Sequence, residues 1–165
     1  MEKLIVKNII ISKQIKSSEN YENFLNIVKQ KRINVIIVKS GSKVQVDNNS
    51  YFEIIWPQDT QIENNVLNNN SIVAKFIYKN FSILFTGDIE ELAEKMIVSK
   101  YQEKLKSTII KIAHHGSKTS STEEFIKYVK PKIALIGVGE NNTFGHPSQS
   151  VISRLSSFRN RNLSY

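Results

Sequence analysis

The chain has 165 residues, 40% of them hydrophobic and 23% charged, with a formal net charge of +8 and no cysteine. One globular domain with a real core is expected at this size; disulfides, thiolate nucleophiles and cysteine-ligated zinc are excluded, and no apolar run approaches a membrane span. The positive balance favours a polyanionic partner such as nucleic acid, although the lysines are spread along a Lys-, Asn- and Ile-rich chain instead of clustered.

The opening MEKLIVKNIIIS lacks a small-residue cleavage site and alternates like a strand, so it reads as structure and not as a signal peptide. A cytoplasmic or otherwise soluble domain is therefore expected. Leu4–Ser12 forms the first predicted strand. Ser18 or Asn20 caps a helix to about Lys31, with Tyr21, Phe24, Leu25 and Val28 at helical spacing. Val35–Val38 is a short apolar strand, and turns at Ser40–Ser42 and Asp47–Ser50 separate Lys43–Val46 from Tyr51–Trp56. Pro57 ends that strand, and Gln58–Asn70 is an Asn-rich loop of a length that compact domains reserve for function or disorder.

Two strands, Ile72–Tyr78 and Phe81–Thr86, flank the tight turn Lys79-Asn80 and make a hairpin. Thr86-Gly87-Asp88 closes the second strand. A helix follows with Ile89, Leu92, Ala93, Met96 and Ile97 as its apolar stripe. Strand Thr108–Ala113 then delivers His114 and His115 into a loop opened by Gly116. Ser121 with Glu124 forms a capping box for a helix from Thr122 to about Lys130, and Pro131 marks its end. Lys132–Val138 is the next strand, Gly139–Pro147 a loop carrying His146, and Ser148 caps a last helix with Val151, Ile152, Leu155 and Phe158 inside. Residues 1–158 are read as the domain and 159–165 as a basic tail that frays.

Three loops at strand ends thus carry Asp88, His114 with His115, and His146, the chain's only histidines. Ligands collect at the carboxyl ends of strands in sheets flanked by helices. An aspartate and one or two histidines without cysteine suit a divalent ion such as Zn or Mn, with water completing the shell. Each residue also has a plain structural role. Asp88 and Glu91 make a D-x-x-E capping box, one histidine of the pair can cap a carbonyl, and His146 can stiffen the loop before Pro147. A serine hydrolase built on Ser117 or Ser71 lacks the G-x-S-x-G elbow.

The segments strand-TGD-helix, strand-AHHGSKTSS-helix and strand-loop-GHPS-helix, in this order, closely resemble the C-terminal half of a metallo-β-lactamase-fold domain. The subgroup they resemble is the soluble hydrolase domain of ComEC-type DNA-uptake (competence) proteins and their free-standing relatives. The likeness runs from about residue 4 to 158 and includes Trp56-Pro57, Asn68-Asn69-Asn70-Ser71 and Asn141–Ser148 (NNTFGHPS). It implies an α/β (α+β) fold, the C-terminal half of an αββα sandwich with mixed sheets flanked by helices, and a phosphodiesterase or nuclease acting on DNA. By the same resemblance Asp88 is a metal-bridging aspartate, and one histidine of the pair is a metal ligand. His115 is favoured as that ligand, with His114 facing the substrate phosphate or the outer shell. Asp88, His114 and His115 are the expected catalytic set; Asn69, Ser71, His114, Ser117, Asn142 and His146 are expected to line the substrate.

One departure limits what the resemblance implies. The fold's main metal signature is an H-x-H-x-D-H loop in the N-terminal half, and no histidine precedes residue 114 here. The chain is therefore read as an N-terminally truncated fragment with an incomplete divalent-metal site, weakly active or inactive alone. A polypeptide supplying the missing half is an expected partner, and a half-fold is expected to leave apolar sheet surface uncovered. The alternative is a non-catalytic remnant or nucleic-acid-binding module of the same fold.

Overall fold

The computed structural model describes residues 5–13 and 17–161, with side chains to 158. Leu4, where the first predicted strand begins, lies outside these residues. Strands β1 (Asn8–Ser12) and β2 (Asn34–Val38) pair in parallel and are connected by α1 (Glu19–Gln30). Ser18 is the cap of α1, its hydroxyl accepting the Tyr21 N–H at 3.2 Å, and Glu19 and Glu22 meet the positive end of the helix dipole.

The main sheet has six strands in the order β3 (Lys43–Gln45), β4 (Ser50–Trp56), β5 (Val73–Tyr78), β6 (Phe81–Phe85), β7 (Ile109–Lys111) and β8 (Ile133–Leu135). The first four run antiparallel, and β6, β7 and β8 are parallel. Parallel neighbours need a long crossover, which α3 (Glu91–Tyr101) and α4 (Glu123–Val129) supply. The Asn-rich loop is not structureless, since it carries the single helical turn α2 (Val66–Asn69). The expected α/β (α+β) class of mixed sheets and flanking helices is what the structure shows.

Cross-strand pairing sorts the strand residues onto two faces. Ile55, Val73, Leu84 and Ile110 face the helices and pack with Ala93 and Ile97 of α3, Phe125, Ile126 and Val129 of α4, and Val151 of α5 (Gln149–Arg161). On the other face Ile54 and Ala74 meet Val38, with Phe52 against them. Phe76 packs beside Phe52 with its ring tilted, the centroids 5.1 Å apart. The pairs Tyr78–Phe81, Ala74–Phe85 and Lys111–Leu135 share that second face, where Phe81, Phe85, Ile133 and Leu135 are all more than a third exposed. No helix among the described residues is long and apolar enough to cross a membrane.

Several boundaries differ from the sequence reading. Strands β7 and β8 are each three residues long, because Ala113 already enters a tight 3-10 turn and the chain leaves the ladder after Leu135. The stripe of α3 is rotated: Ile89, Ala93 and Ile97 are buried, while Leu92 and Met96 are exposed. Glu94 and Val98 take the inner positions instead. The cap of α4 is Thr122, whose hydroxyl accepts the Phe125 N–H at 3.3 Å, so the Ser121–Glu124 box does not form. Helix α5 runs through Arg161, so the first part of the expected tail is helical.

The cap of α4 shifts because Glu94 claims the residue before it. Glu94 is fully buried, and its two carboxylate oxygens accept the N–H groups of Ser121 and Thr122. Arg154 of α5 donates to the carbonyls of Ser120 and Ser121 and closes the bracket from the other side. Burial pushes the Glu94 carboxyl up, against the pull of these hydrogen bonds and of Arg154.

Two consequences are measurable. Glu94→Ala orphans one buried and one partly buried donor and is expected to lower the unfolding free energy by about 3 kcal/mol in urea titrations, at roughly 1–3 kcal/mol per orphaned group. Because the raised carboxyl binds its proton more tightly in the native state than in the unfolded chain, stability falls as pH rises from the ordinary Glu range through the raised value. Glu94→Gln should remove that segment of the pH profile.

Candidate active site

Because β6, β7 and β8 are parallel, their carboxyl ends share one edge of the sheet, and β5 starts there. The TGD, HHG and GHPS segments and Ser71 therefore meet at a single rim. Two close backbone approaches fasten them. A Cβ on Gly87 would stand 2.7 Å from Ser71 Cβ, and one on Gly116 would stand 2.7 Å from Pro147 Cβ. The His114 N–H donates to the Gly87 carbonyl at 3.1 Å, and the Ser148 N–H to that of Gly116 at 2.9 Å.

At this rim His114 and His115 both take left-handed backbone angles, with φ of 47° and 55°. Non-glycine residues rarely occupy this region, and such strain concentrates at functional sites. Their rings serve different partners. His115 Nδ1 lies 2.6 Å from the Gly137 carbonyl oxygen. A carbonyl only accepts, so Nδ1 carries the hydrogen and the Nε2 lone pair of the neutral ring is free. Asp88 Oδ1 stands 3.8 Å from that Nε2, and both side chains are about half exposed. Two acceptors are thus held face to face. Ligands about 2.1 Å from a tetrahedral ion lie roughly 3.4 Å apart, so this spacing suits a shared divalent cation with a small adjustment. The carbonyl on the far ring nitrogen is also what a metal-bound histidine ordinarily has.

Asp88 does not cap α3. The cap position is Glu90, which makes no side-chain cap bond, so the D-x-x-E alternative is not formed. Glu90 faces the other histidine, its Oε1 standing 3.6 Å from His114 Nδ1. Its carboxylate accepts from Thr119 Oγ1 at 2.9 Å and from Asn65 Nδ2 at 2.9 Å, and its N–H donates to Asn69 Oδ1 at 3.1 Å. The buried Nδ1 atoms of His114 and His146 lack a hydrogen-bond partner within the described residues. The two rings meet edge-on at 5.9 Å, and Phe144 stacks on His146.

The other expected substrate-lining residues take up framework bonds. Asn69 is 1% exposed, donates to Asn64 O, and lends its backbone carbonyl to the Trp56 indole N–H. The Asn142 amide bonds Gly139 O and both backbone groups of His146, which holds the GHPS loop in shape. Ser117 is buried and pairs with Thr119 Oγ1 at 3.0 Å, whereas Ser71 is half-buried beside Gly87. Glu90 and Thr119 escaped the sequence reading. The available signal was a second acid two residues past Asp88, in a loop and not yet in the helix.

No family model matches the chain. Among curated proteins it is similar to ComE operon protein 3 of Bacillus subtilis (strain 168), 31% identical over 150 residues that cover 91% of this chain and 19% of that protein. It is 39% identical to the uncharacterized protein YcaI of Escherichia coli (strain K12) over 103 residues, 62% of this chain and 13% of that protein. To competence protein ComA of Neisseria gonorrhoeae it is 32% identical over 104 residues, 63% of this chain and 15% of that protein. The chain therefore spans less than a fifth of the length of each of these relatives, and its homologues include a competence protein.

Proposed function

We propose that this chain carries the late part of a metal-dependent phosphodiesterase centre of the metallo-β-lactamase type, acting on DNA within a ComEC-type competence protein. The observation that carries the reading is the Asp88–His115 pair, two acceptors 3.8 Å apart with the histidine tautomer set by Gly137. The order of the TGD, HHGS and GHPS segments and the competence name of one relative support it.

Asp88 and His115 would hold a Zn or Mn ion, which when bound supplies a water of lowered pKa and polarises a phosphoryl oxygen. The chain's own groups do the positioning. Gly137 keeps Nε2 of His115 bare, and Glu90, itself held by Thr119 and Asn65, places a carboxylate beside Nδ1 of His114. His114 and His146 then line the place where phosphate oxygens are received, since charge-assisted bonds to phosphate are strong ones.

Catalytic zinc sites typically use three protein ligands, and no third His, Cys, Asp or Glu joins Asp88 and His115 among the described residues. The remaining ligands are assigned to an H-x-H-x-D-H segment outside these 165 residues. The polypeptide carrying it would also cover the second face of the main sheet, where Phe81, Phe85, Ile133 and Leu135 are exposed. The small donor set equally favours a second reading, a nucleic-acid-binding module of the same fold without turnover.

Equilibrium dialysis against Zn or Mn, paired with a DNA phosphodiester assay, tests the reading. The chain alone should bind at most one ion, weakly, with hydrolysis near background, and Asp88→Ala or His115→Ala should abolish binding. Adding a polypeptide that bears H-x-H-x-D-H should restore metal stoichiometry and turnover together. Tight binding of two ions, or robust nuclease activity from residues 1–165 alone, would contradict it.

A further inference from the structure

We infer that Glu94 of α3 and Arg154 of α5 are positioning residues for the histidine pair. They grip the backbone at Ser120 and Ser121, and the Ser120 hydroxyl passes that grip to the turn holding His114 and His115. The inference deepens the function proposed above and rests on it only for the task the histidines perform.

Four residues between His114 and Ser121 have positive φ: His114 at 47°, His115 at 55°, Gly116 at 84° and Ser121 at 55°. Only the glycine takes such angles freely. A turn built this way needs restraint at both ends. At its start the His114 N–H is bonded to the Gly87 carbonyl. At its far end Ser121 is held by both backbone groups. Glu94 accepts its N–H and that of Thr122, while Arg154 donates to its carbonyl and to that of Ser120.

Ser120, 1% exposed, links the two ends. Its hydroxyl stands 3.1 Å from the Ala113 carbonyl oxygen and 3.0 Å from that of Ser117, the residues on either side of the His-His-Gly turn. Its N–H also donates to the Ser117 carbonyl at 3.1 Å, and the Ser117 N–H returns to the His114 carbonyl at 2.9 Å. An unbroken path of covalent and hydrogen bonds therefore runs from the two helices to the histidines. A path becomes a coupling only when a change at one end is felt at the other.

Glu94 is a costly residue to place here. It is 0% exposed on a helix whose other inward residues, Ala93, Ile97 and Val98, are apolar, and burying a charge costs desolvation. What an acid alone supplies is a pair of acceptor oxygens for two successive N–H groups. That pair holds Ser121 in its left-handed state, and with it the neighbouring Ser120 hydroxyl.

The test is long-range proton–nitrogen NMR on the whole chain with labelled imidazoles, without metal and at a pH where the rings are neutral. Wild type is compared with Glu94→Gln, Ser120→Ala and Ile54→Val. A glutamine keeps one acceptor but turns an NH2 group toward the second N–H. Ser120→Ala removes only the hydroxyl link, and keeps the test open should Glu94→Gln fail to fold. Ile54 packs in the separate cluster on the second sheet face, so Ile54→Val lowers stability, followed by urea titration, without touching the path. His115 should show one tautomer in wild type and in Ile54→Val. In Glu94→Gln and Ser120→Ala its two nitrogen shifts should average through tautomer exchange. Hydrogen exchange at the His114 and Ser117 amides should rise about 2- to 10-fold in Ser120→Ala, matching the loss of one hydrogen bond. A wild-type pattern in Ser120→Ala, or in folded Glu94→Gln, would overturn the inference, as would the same averaging in Ile54→Val. Because no metal is present, failure of Asp88 and His115 to bind an ion would leave these outcomes untouched.

Discussion

The candidate site depends on two places where backbones touch. Gly87 lies against Ser71, and Gly116 lies against Pro147, each so closely that a single added methyl would stand 2.7 Å from its neighbour. Both glycines also have positive φ, which leaves the position open to little else. These contacts draw the TGD turn onto the start of β5 and the HHG turn onto the GHPS loop. Parallel pairing of β6, β7 and β8 brings the three loop starts to one edge; the glycines bring them into contact. Without that approach the rim would be a row of separate loops.

The same constraint explains why adjacent histidines do different things. In a strand they would point to opposite faces, and in a helix they would sit about 100° apart. Here both residues are left-handed, with φ of 47° and 55°, so neither rule holds. His115 is turned to Gly137 and Asp88, and His114 to Glu90 and His146. Such conformations cost on the order of 1 kcal/mol or more each and persist only where surrounding structure enforces them. Here the N–H of His114 is tied to Gly87 and its carbonyl receives the Ser117 N–H. The strain is thus held by the framework that delivers Asp88.

Much of this architecture was legible in the amino-acid sequence, because it follows from periodicity and turn chemistry. The hairpin of β5 and β6, the Ser18 cap, and the placement of Asp88, His114, His115 and His146 after strands all stand in the structure. What was not legible depends on contacts far apart in the chain. Ser121 and Thr122 are equally good caps by local rules, and the choice is made by Glu94, 27 residues before Ser121 in sequence. The same buried acid rotates the stripe of α3, since a glutamate is not counted as an inward-facing residue. Asp88 and Glu91 satisfied a capping pattern, yet the helix starts after Glu90 and leaves Asp88 outside. Asn69 and Asn142 were expected from the resemblance to line the substrate; that their amides also bond backbone groups of the surrounding loops is a matter of loop shape that no local pattern announces.

The two histidines are held in fixed and different roles, with His115 presenting a bare Nε2 toward Asp88. Long-range proton–nitrogen correlation NMR on imidazole-labelled chain, without added metal and at a pH where the rings are neutral, measures this directly. His115 should be found in the Nδ1–H form, bonded to the Gly137 carbonyl, with an unprotonated Nε2. A spectrum placing the His115 hydrogen on Nε2, or showing its two tautomers in rapid exchange, would contradict it.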